Sequence, residues 1–357
     1  MSRPHEVLMS RIIMADDGIS FDGQTPEKGP LGGAETAFVS LAEAFARRGH
    51  EVQAFTRCAA PLDHNGVAWR PVDGPMPDTA DLYIAHRGDK LLDRVPEAKT
   101  IAFWIQNPAK YLLKWRYLSK LWRRKPPIVF LSHSHAATYP NWAPGGRRVV
   151  IPHAVHDVYR TAASPTLPPR PRAVFTSNPL RSLDWLIELW VTRIFPAVPK
   201  AELHVFSGAA TYGSVGAGKA AEMEPVLRHA RAMKDAGVVL REPLPRDKLA
   251  AELPGFRLFA YRGSEEETYC MSAGEAQAAG LPAVVCDLGS MAERVRDRES
   301  GFVVSAEPGR DERDFANAAI KVLTDDNLWR RLHQGCLNHQ RSRGWNEAAA
   351  DFERLMK

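Results

Sequence analysis

The feature that most constrains this chain is an alternation of short apolar runs with stretches of helical period, sustained over most of its 357 residues. RIIMA (11–15), EVQAFTR (51–57), DLYIAH (81–86), TIAFWI (100–105) and IVFLS (128–132) have the length and composition of buried strands, and RVVIPHAV (148–155) closes that half. Between the first two lies AETAFVSLAEAFARRG, with Ala37, Leu41 and Phe45 on one helical face and Gly49 just past its end. The Pro-rich stretch SPTLPPRPR (164–172) reads as an interdomain connection. A second series follows: AVFTSN (173–178), ELHVFSG (202–208), GVVLRE (237–242), FRLFAY (256–261) and AVVC (283–286), with the helical LDWLIELWVTRIF after the first and a helical tail from about 311. Strands that alternate with helices pair in parallel, because each crossover helix returns the chain to the same end of the sheet. The expected class is α/β, with two parallel-sheet domains.

The four cysteines (Cys58, Cys270, Cys286, Cys336) are scattered and form no CxxC pair, which points to reduced thiols rather than a disulfide scaffold or a zinc site. No apolar run approaches the roughly 18 residues of a membrane span, and the first residues lack a leader-like apolar core. The expected location is cytoplasmic. A net charge of +5 is compatible with anionic substrates or with an anionic membrane surface.

The densest chemical signal is EETYCMSAGEAQAAGLPAVV (266–285). SAGEAQAAG is rich in helix formers and ends at Gly280, a natural residue for the position after a helix end. Glu267 falls in the loop before this helix and Glu275 in its early turns. The amides of Thr268 to Ser272 lie between them, where a helix start offers free N–H groups and partial positive charge to phosphate. Carboxylates beside such a cradle suit hydroxyls, which donate charge-assisted hydrogen bonds to them. The spacing fits a nucleotide diphosphate sugar. The plainer alternative is two solvated acids at a helix start. Ser207–Gly208 ends another strand of the second half and is a further candidate nucleotide contact, since ligands of open α/β sheets lie at the carboxyl ends of strands.

The E-x7-E spacing of Glu267 and Glu275, with AQAAGLPAVV after it, resembles the signature of the GT4 family of retaining glycosyltransferases. PLGGAETAFVSLAEAFARRGHEV (30–52), VVIPHAV (149–155), RSLDWLIELW (181–190), DLGSMAERVRDRESGFVV (287–304) and GWNEAAADFERLM (344–356) resemble further family segments in the family's order. The resemblance implies the GT-B fold, two Rossmann-like domains facing an interdomain cleft. The first, residues 1–160, would take the acceptor. The second, 161–340, would bind the nucleotide sugar, and a C-terminal helix at about 341–357 would pack back on the first. It also implies transfer of a sugar from a nucleotide diphosphate sugar to a hydroxyl of a glycan, lipid-linked or small-molecule acceptor, without a metal or other cofactor. The alternatives within the fold are a nucleotide-sugar isomerase or epimerase and a non-catalytic binding protein.

By the same resemblance Glu275 holds the ribose, Glu267 contacts donor-sugar hydroxyls, and the backbone of Tyr269, Cys270, Met271 and Ser272 faces the diphosphate. Gly32 and Gly33 would let the first domain's backbone approach the phosphates closely. Family members usually carry an Arg and a Lys on the loop that is FTSNPLRSLDW here. Arg181 stands at the Lys position and Thr176 at that of the Arg, so one cation is retained and one is missing. Where many members have a sugar-contacting His, this chain has Gln106 and Asn107. An amide can bond a hydroxyl but cannot act as a base. His86 is a nearby acceptor-side candidate, with His133 and His135. No Asp-x-Asp occurs, which argues against the metal-dependent class, and neither a Walker loop nor a strand-linked GxGxxG is present.

One further segment, AKYLLKWRYLSKLWRRKPP (109–127), carries seven Lys or Arg and no acid. On one continuous helix Tyr111, Trp115, Leu118 and Trp122 would share a face. Two readings stand: a membrane-surface helix, giving peripheral contact with the inner face of a membrane through 109–125, or a stripe packed into the core with a solvated basic face. Nothing else in the chain points to nucleic acid.

Overall fold

The computed structural model describes residues 9–357; the extreme N-terminal residues whose composition was considered above lie outside that range. The chain divides into two compact units, one made of the residues through Thr25, Ala34–Ala154 and Trp345–Lys357, the other of Pro26–Gly33 and Val155–Gly344.

The first unit is built on β1 (Arg11–Asp16), β2 (Glu51–Thr56), β3 (Leu62–His64), β4 (Val67–Pro71), β5 (Leu82–His86), β6 (Thr100–Trp104), β7 (Ile128–Phe130) and β8 (Arg148–Val150). Their order in the sheet is β3-β4-β2-β1-β5-β6-β7-β8, all parallel except the β3–β4 pair. Helix α1 (Gly33–Arg47) follows β1, and α2 (Trp115–Arg124) lies between β6 and β7. The β3–β4 hairpin went unread in the sequence although it carries a strong local signal. Its turn is Asn65–Gly66, both at positive φ (49° and 77°), as a two-residue hairpin needs. A terminal helix, Trp345–Glu353, belongs to this unit. Phe352 packs edge-on against Phe45 and Trp104, and Glu353 accepts hydrogen bonds from Arg48 (2.5 Å) and His50 (3.0 Å).

The second unit holds β9 (Arg172–Phe175), β10 (Glu202–Phe206), β11 (Val238–Arg241), β12 (Leu258–Ala260), β13 (Ala283–Cys286) and β14 (Gly301–Val304), all parallel in the order β11-β10-β9-β12-β13-β14. The helices that matter below are α3 (Leu183–Leu189), α4 (Met271–Ala278), α5 (Met291–Arg294), α6 (Arg310–Thr324) and α7 (Asp326–Gln340). The helical run after β9 departs from one regular helix: α3 passes into a π turn at Trp190–Ile194 before Pro196.

The Pro-rich stretch 164–172 is not the connection between units. The chain passes from one to the other at Ala154–Val155, so that stretch lies wholly in the second. The approach to it is tied to α7 and the turn after it: Arg341 donates to the Ala162 carbonyl (2.8 Å), Arg160 donates to the Arg341 carbonyl (2.8 Å), and Ser164 bonds His333 (3.1 Å). Proline restricts the backbone, but it does not by itself separate domains.

Candidate active site

The ends of three neighbouring strands of the second sheet deliver the site. The loop after β9 meets the first turn of α4 where Ser177 Oγ and Ser272 Oγ lie 2.9 Å apart, and Ser207, after β10, donates to the Ser177 carbonyl (2.5 Å). The strand order β10-β9-β12 makes these loops adjacent, although Ser177 and Ser272 are 95 residues apart in sequence.

Glu267 is buried at the centre. Its Oε2 accepts from Arg181 Nη1 and from the Tyr261 hydroxyl, each at 2.9 Å, and its Oε1 accepts from the Cys270 amide at 3.1 Å. A carboxylate has about four lone-pair sites, so one remains for a hydroxyl donor. The carbonyl of Glu267 accepts from the Ser290 amide (3.0 Å), and Gly289 sits against it at φ +55°, where a Cβ would collide with that oxygen. Cys270, at the start of α4, is a non-glycine residue at φ +39°, an uncommon conformation that turns the chain sharply from the Glu267 loop into the helix. Burial, then the Glu267 charge, pushes its thiol up to about 12, so it is no nucleophile at neutral pH. Tyr261 is likewise held protonated, by burial and by Glu267, which fits its role as donor.

Glu275 is on α4, partly buried, and its side chain makes no hydrogen bond among the described residues. Burial pushes its carboxyl up from an ordinary 4.5 to about 7, against the pull of Arg294 and Arg246. The helix ends as its sequence implies: Gly280 has φ +93°, and the Leu281 amide bonds back to the Ala276 carbonyl (2.9 Å). Arg181 is half-exposed, and Tyr269, Met271 and Ser272 are partly buried around the first turn.

Two sequence families match overlapping parts of the chain: Glycosyltransferase Family 4 over residues 31–198 and Glycosyl transferases group 1 over residues 170–325. The chain belongs to the GT4 glycosyltransferase family. It is 36% identical over 87 residues to a D-inositol 3-phosphate glycosyltransferase of Streptomyces bingchenggensis, a stretch that is 24% of this chain and 18% of that protein. Matches to such curated relatives reach 40% of their length, so they leave more than half of each relative uncovered. Among solved structures, the sucrose-phosphate synthase of Thermosynechococcus elongatus superposes with a TM-score of 0.73 at 14% identity, covering 97% of this chain and 98% of that one. Anabaena HepE, solved in complex with UDP and glucose, superposes at 0.71 and 13%, covering 97% and 98%. The fold is GT-B.

Within this GT4 chain, the segment Pro26–Gly33 clusters with the second unit, and a Cβ on Gly33 would lie 3.3 Å from Met271 Cγ. Gly32, next to it, is buried. Gly208 faces Pro243. The first-unit candidates fall differently from expectation. His86 cannot touch an acceptor: it is fully buried, with Nδ1 2.6 Å from Asp16 Oδ2 and its ring between Phe38 and Trp104. Burial, then Arg87, keeps it neutral, so Nδ1 donates to Asp16. Asp16 in turn pairs with Arg87 (2.6 Å), which also reaches Glu35 (2.9 Å). Burial opposes the Asp16 charge, yet His86 and Arg87 hold its carboxyl far below the usual range. His135 is structural: its Nε2 donates to the Asn107 carbonyl (2.8 Å) and its Nδ1 accepts from the Leu131 amide. Gln106 is buried and Asn107 exposed, which leaves Asn107 as the accessible amide.

The basic aromatic segment corrects a further expectation. Tyr111 lies in a 3₁₀ turn (Ala109–Leu113), and an extended Lys114 separates it from α2, so the two pieces do not share a helical phase. The core-facing pair on α2 is Tyr117 and Leu121. Trp115 (80% exposed) and Trp122 (70%) face solvent, while Lys120, Arg123 and Arg124 fold back on Asp93. Trp142, 74% exposed, is on the loop whose Gly146 donates to the Pro126 carbonyl just past α2. The stripe is therefore not core packing.

Among the described residues no group of three or more His, Cys, Asp or Glu could hold a metal ion, and no helix is long and apolar enough to cross a membrane. Tyr261, Ser177 and Gly289 were missed in the sequence. Tyr261 reaches Glu267 from six residues upstream, Gly289 lies against its carbonyl from the loop after β13, and Ser177 meets Ser272 across 95 residues; no local pattern marks them.

Proposed function

We propose that this protein is a retaining, metal-independent glycosyltransferase that moves a sugar from a nucleotide diphosphate sugar to a hydroxyl of a glycan, lipid-linked or small-molecule acceptor. The observation that carries this reading is the arrangement at the start of α4. Arg181 and Glu267 form an ion pair beside the start of α4, and Glu275 stands one turn on with no hydrogen-bond partner among the described residues. The amides and Arg181 would hold the diphosphate and stabilise it as it leaves, which is the charge a divalent ion would otherwise neutralise. Glu275 would accept the ribose hydroxyls, and Glu267, oriented by Tyr261, would accept from the sugar. No enzymic nucleophile is required if the leaving phosphate takes the acceptor proton on the face from which it departs. Ser207, Gly208, Gly32 and Gly33 would line the nucleotide, and Asn107 the acceptor side. UDP sugars are the first donors to try, by likeness to HepE with its UDP and glucose. The exposed tryptophans of the basic segment support cytoplasmic work at an anionic membrane surface.

The test is a thermal-shift and product panel with UDP, GDP and ADP and their sugars, on wild type and Glu275→Ala. At about 100 times the dissociation constant a ligand adds roughly 2.7 kcal/mol of stability. A shift with one nucleotide, lost in the variant, together with slow release of free sugar of unchanged anomeric configuration, is expected. Donor interconversion would instead mark an isomerase, and a shift without any turnover a binding protein.

A further inference from the structure

Arg294 ends α5 and is only 2% exposed. Its guanidinium centre stands 4.4 Å over the Tyr269 ring. It also occupies the space beside Gly274, where a Cβ would overlap Nη2, so a side chain at this position of α4 would displace the guanidinium. Nε and Nη2 are sealed from solvent with no hydrogen-bond partner, and no carboxylate of the described residues pairs with the group.

A guanidinium does not shed its proton in a protein, so this is a permanent buried charge. Its contact with one aromatic face offsets part of the desolvation and no more. An apolar side chain of similar volume would serve the fold as well or better. Of the described carboxylates Glu275 feels this charge, but burial outweighs it and holds that carboxyl's proton up to about pH 7, so a full counter-charge is sought outside the chain. Tyr269 and Gly274 bracket the first turn of α4, whose amides are those assigned to the diphosphate. The field of Arg294 reaches across that turn, favouring the ionised forms of both Cys270 and Glu275. The loop after β9 has Thr176 where a second cation was expected.

We infer that Arg294 supplies, from beneath the first turn of α4, the second positive charge for the anionic donor, as a positioning residue that acts through that turn. This rests on the donor reading above. The experiment compares wild type, Arg294→Met and Arg294→Lys for binding of UDP, GDP and ADP, and of uridine, guanosine and adenosine, by calorimetry at a pH above the Glu275 range. The expected result has three parts. Without ligand, at a pH below the Glu275 range, Arg294→Met melts no lower than wild type. It binds the preferred nucleoside diphosphate on the order of 10- to 100-fold more weakly, as one unit charge through a partly screened path implies, while the matching nucleoside is held within about threefold. Arg294→Lys recovers most of the loss. An unchanged diphosphate affinity, an equal loss for nucleoside and diphosphate, or an Arg294→Met protein that does not fold would each make Arg294 a structural residue and overturn the inference. If wild type binds none of the six compounds, the donor reading itself fails.

Discussion

Replacing Glu275 by Gln should stabilise the ligand-free protein while removing its grip on the donor. In the native state burial holds the Glu275 proton up to about pH 7, whereas the unfolded chain releases it near 4.5. The native state therefore binds the extra proton between those values, and stability falls as pH rises through that window. The full shift corresponds to about 3 kcal/mol, and partial solvent contact reduces this to roughly 1–3 kcal/mol. Glutamine keeps the shape and carries no charge to desolvate. Urea unfolding of both proteins near pH 4 and near pH 8 should give nearly equal stabilities at the lower pH and a more stable variant, by that amount, at the higher. Taking the difference cancels the histidines that burial keeps neutral, such as His135 and His339, which titrate alike in both. Ribose hydroxyls favour the ionised carboxylate, so wild type should release a proton on binding nucleotide below pH 7 and bind more tightly as pH rises, whereas the variant should do neither. A variant no more stable than wild type near pH 8 would refute the claim that Glu275 is held ready for a ligand at a cost to the fold.

Three further outcomes are expected. Gly289→Ala, at φ +55° and hard against the Glu267 carbonyl, should cost roughly 1–3 kcal/mol in denaturant unfolding and weaken donor binding by displacing the Glu267 loop. Arg181→Met should lower turnover by about 10²–10³-fold and change stability by less than about 1 kcal/mol, because the pair is half-exposed on the arginine side; a large loss of melting temperature with little kinetic effect would make it a structural bridge. Trp115→Ser with Trp122→Ser should abolish sedimentation with vesicles containing anionic phosphatidylglycerol at unchanged melting temperature, and an unaltered bound fraction would remove the membrane reading.

Local pattern carried much of this protein's architecture. The run 11–15 became β1, 283–286 became β13, and Ala37, Leu41 and Phe45 are fully buried on α1, because strand and helix periods are properties of neighbouring residues. Gly280 ended its helix for an equally local reason, and the paired glutamates were visible as a spacing. The two ends of local reading show at Asn65–Gly66, a turn signal present but overlooked, and at the Pro-rich stretch 164–172, a restricted backbone mistaken for a boundary. Whether a side chain is buried, paired or left alone depends on what the fold brings to it from elsewhere. His86 faces Asp16 from 70 residues away and is lost to any acceptor. Trp115 and Trp122 lie outside because Tyr117 and Leu121 take the core face, and one extended residue, Lys114, resets the phase. Arg181 meets Glu267 across 86 residues, and Arg294 finds its space only where Gly274 leaves one. Hydrophobic period is written along the chain, whereas the partner of a charge is chosen across it, so the sequence determined the elements and the tertiary structure decided the site.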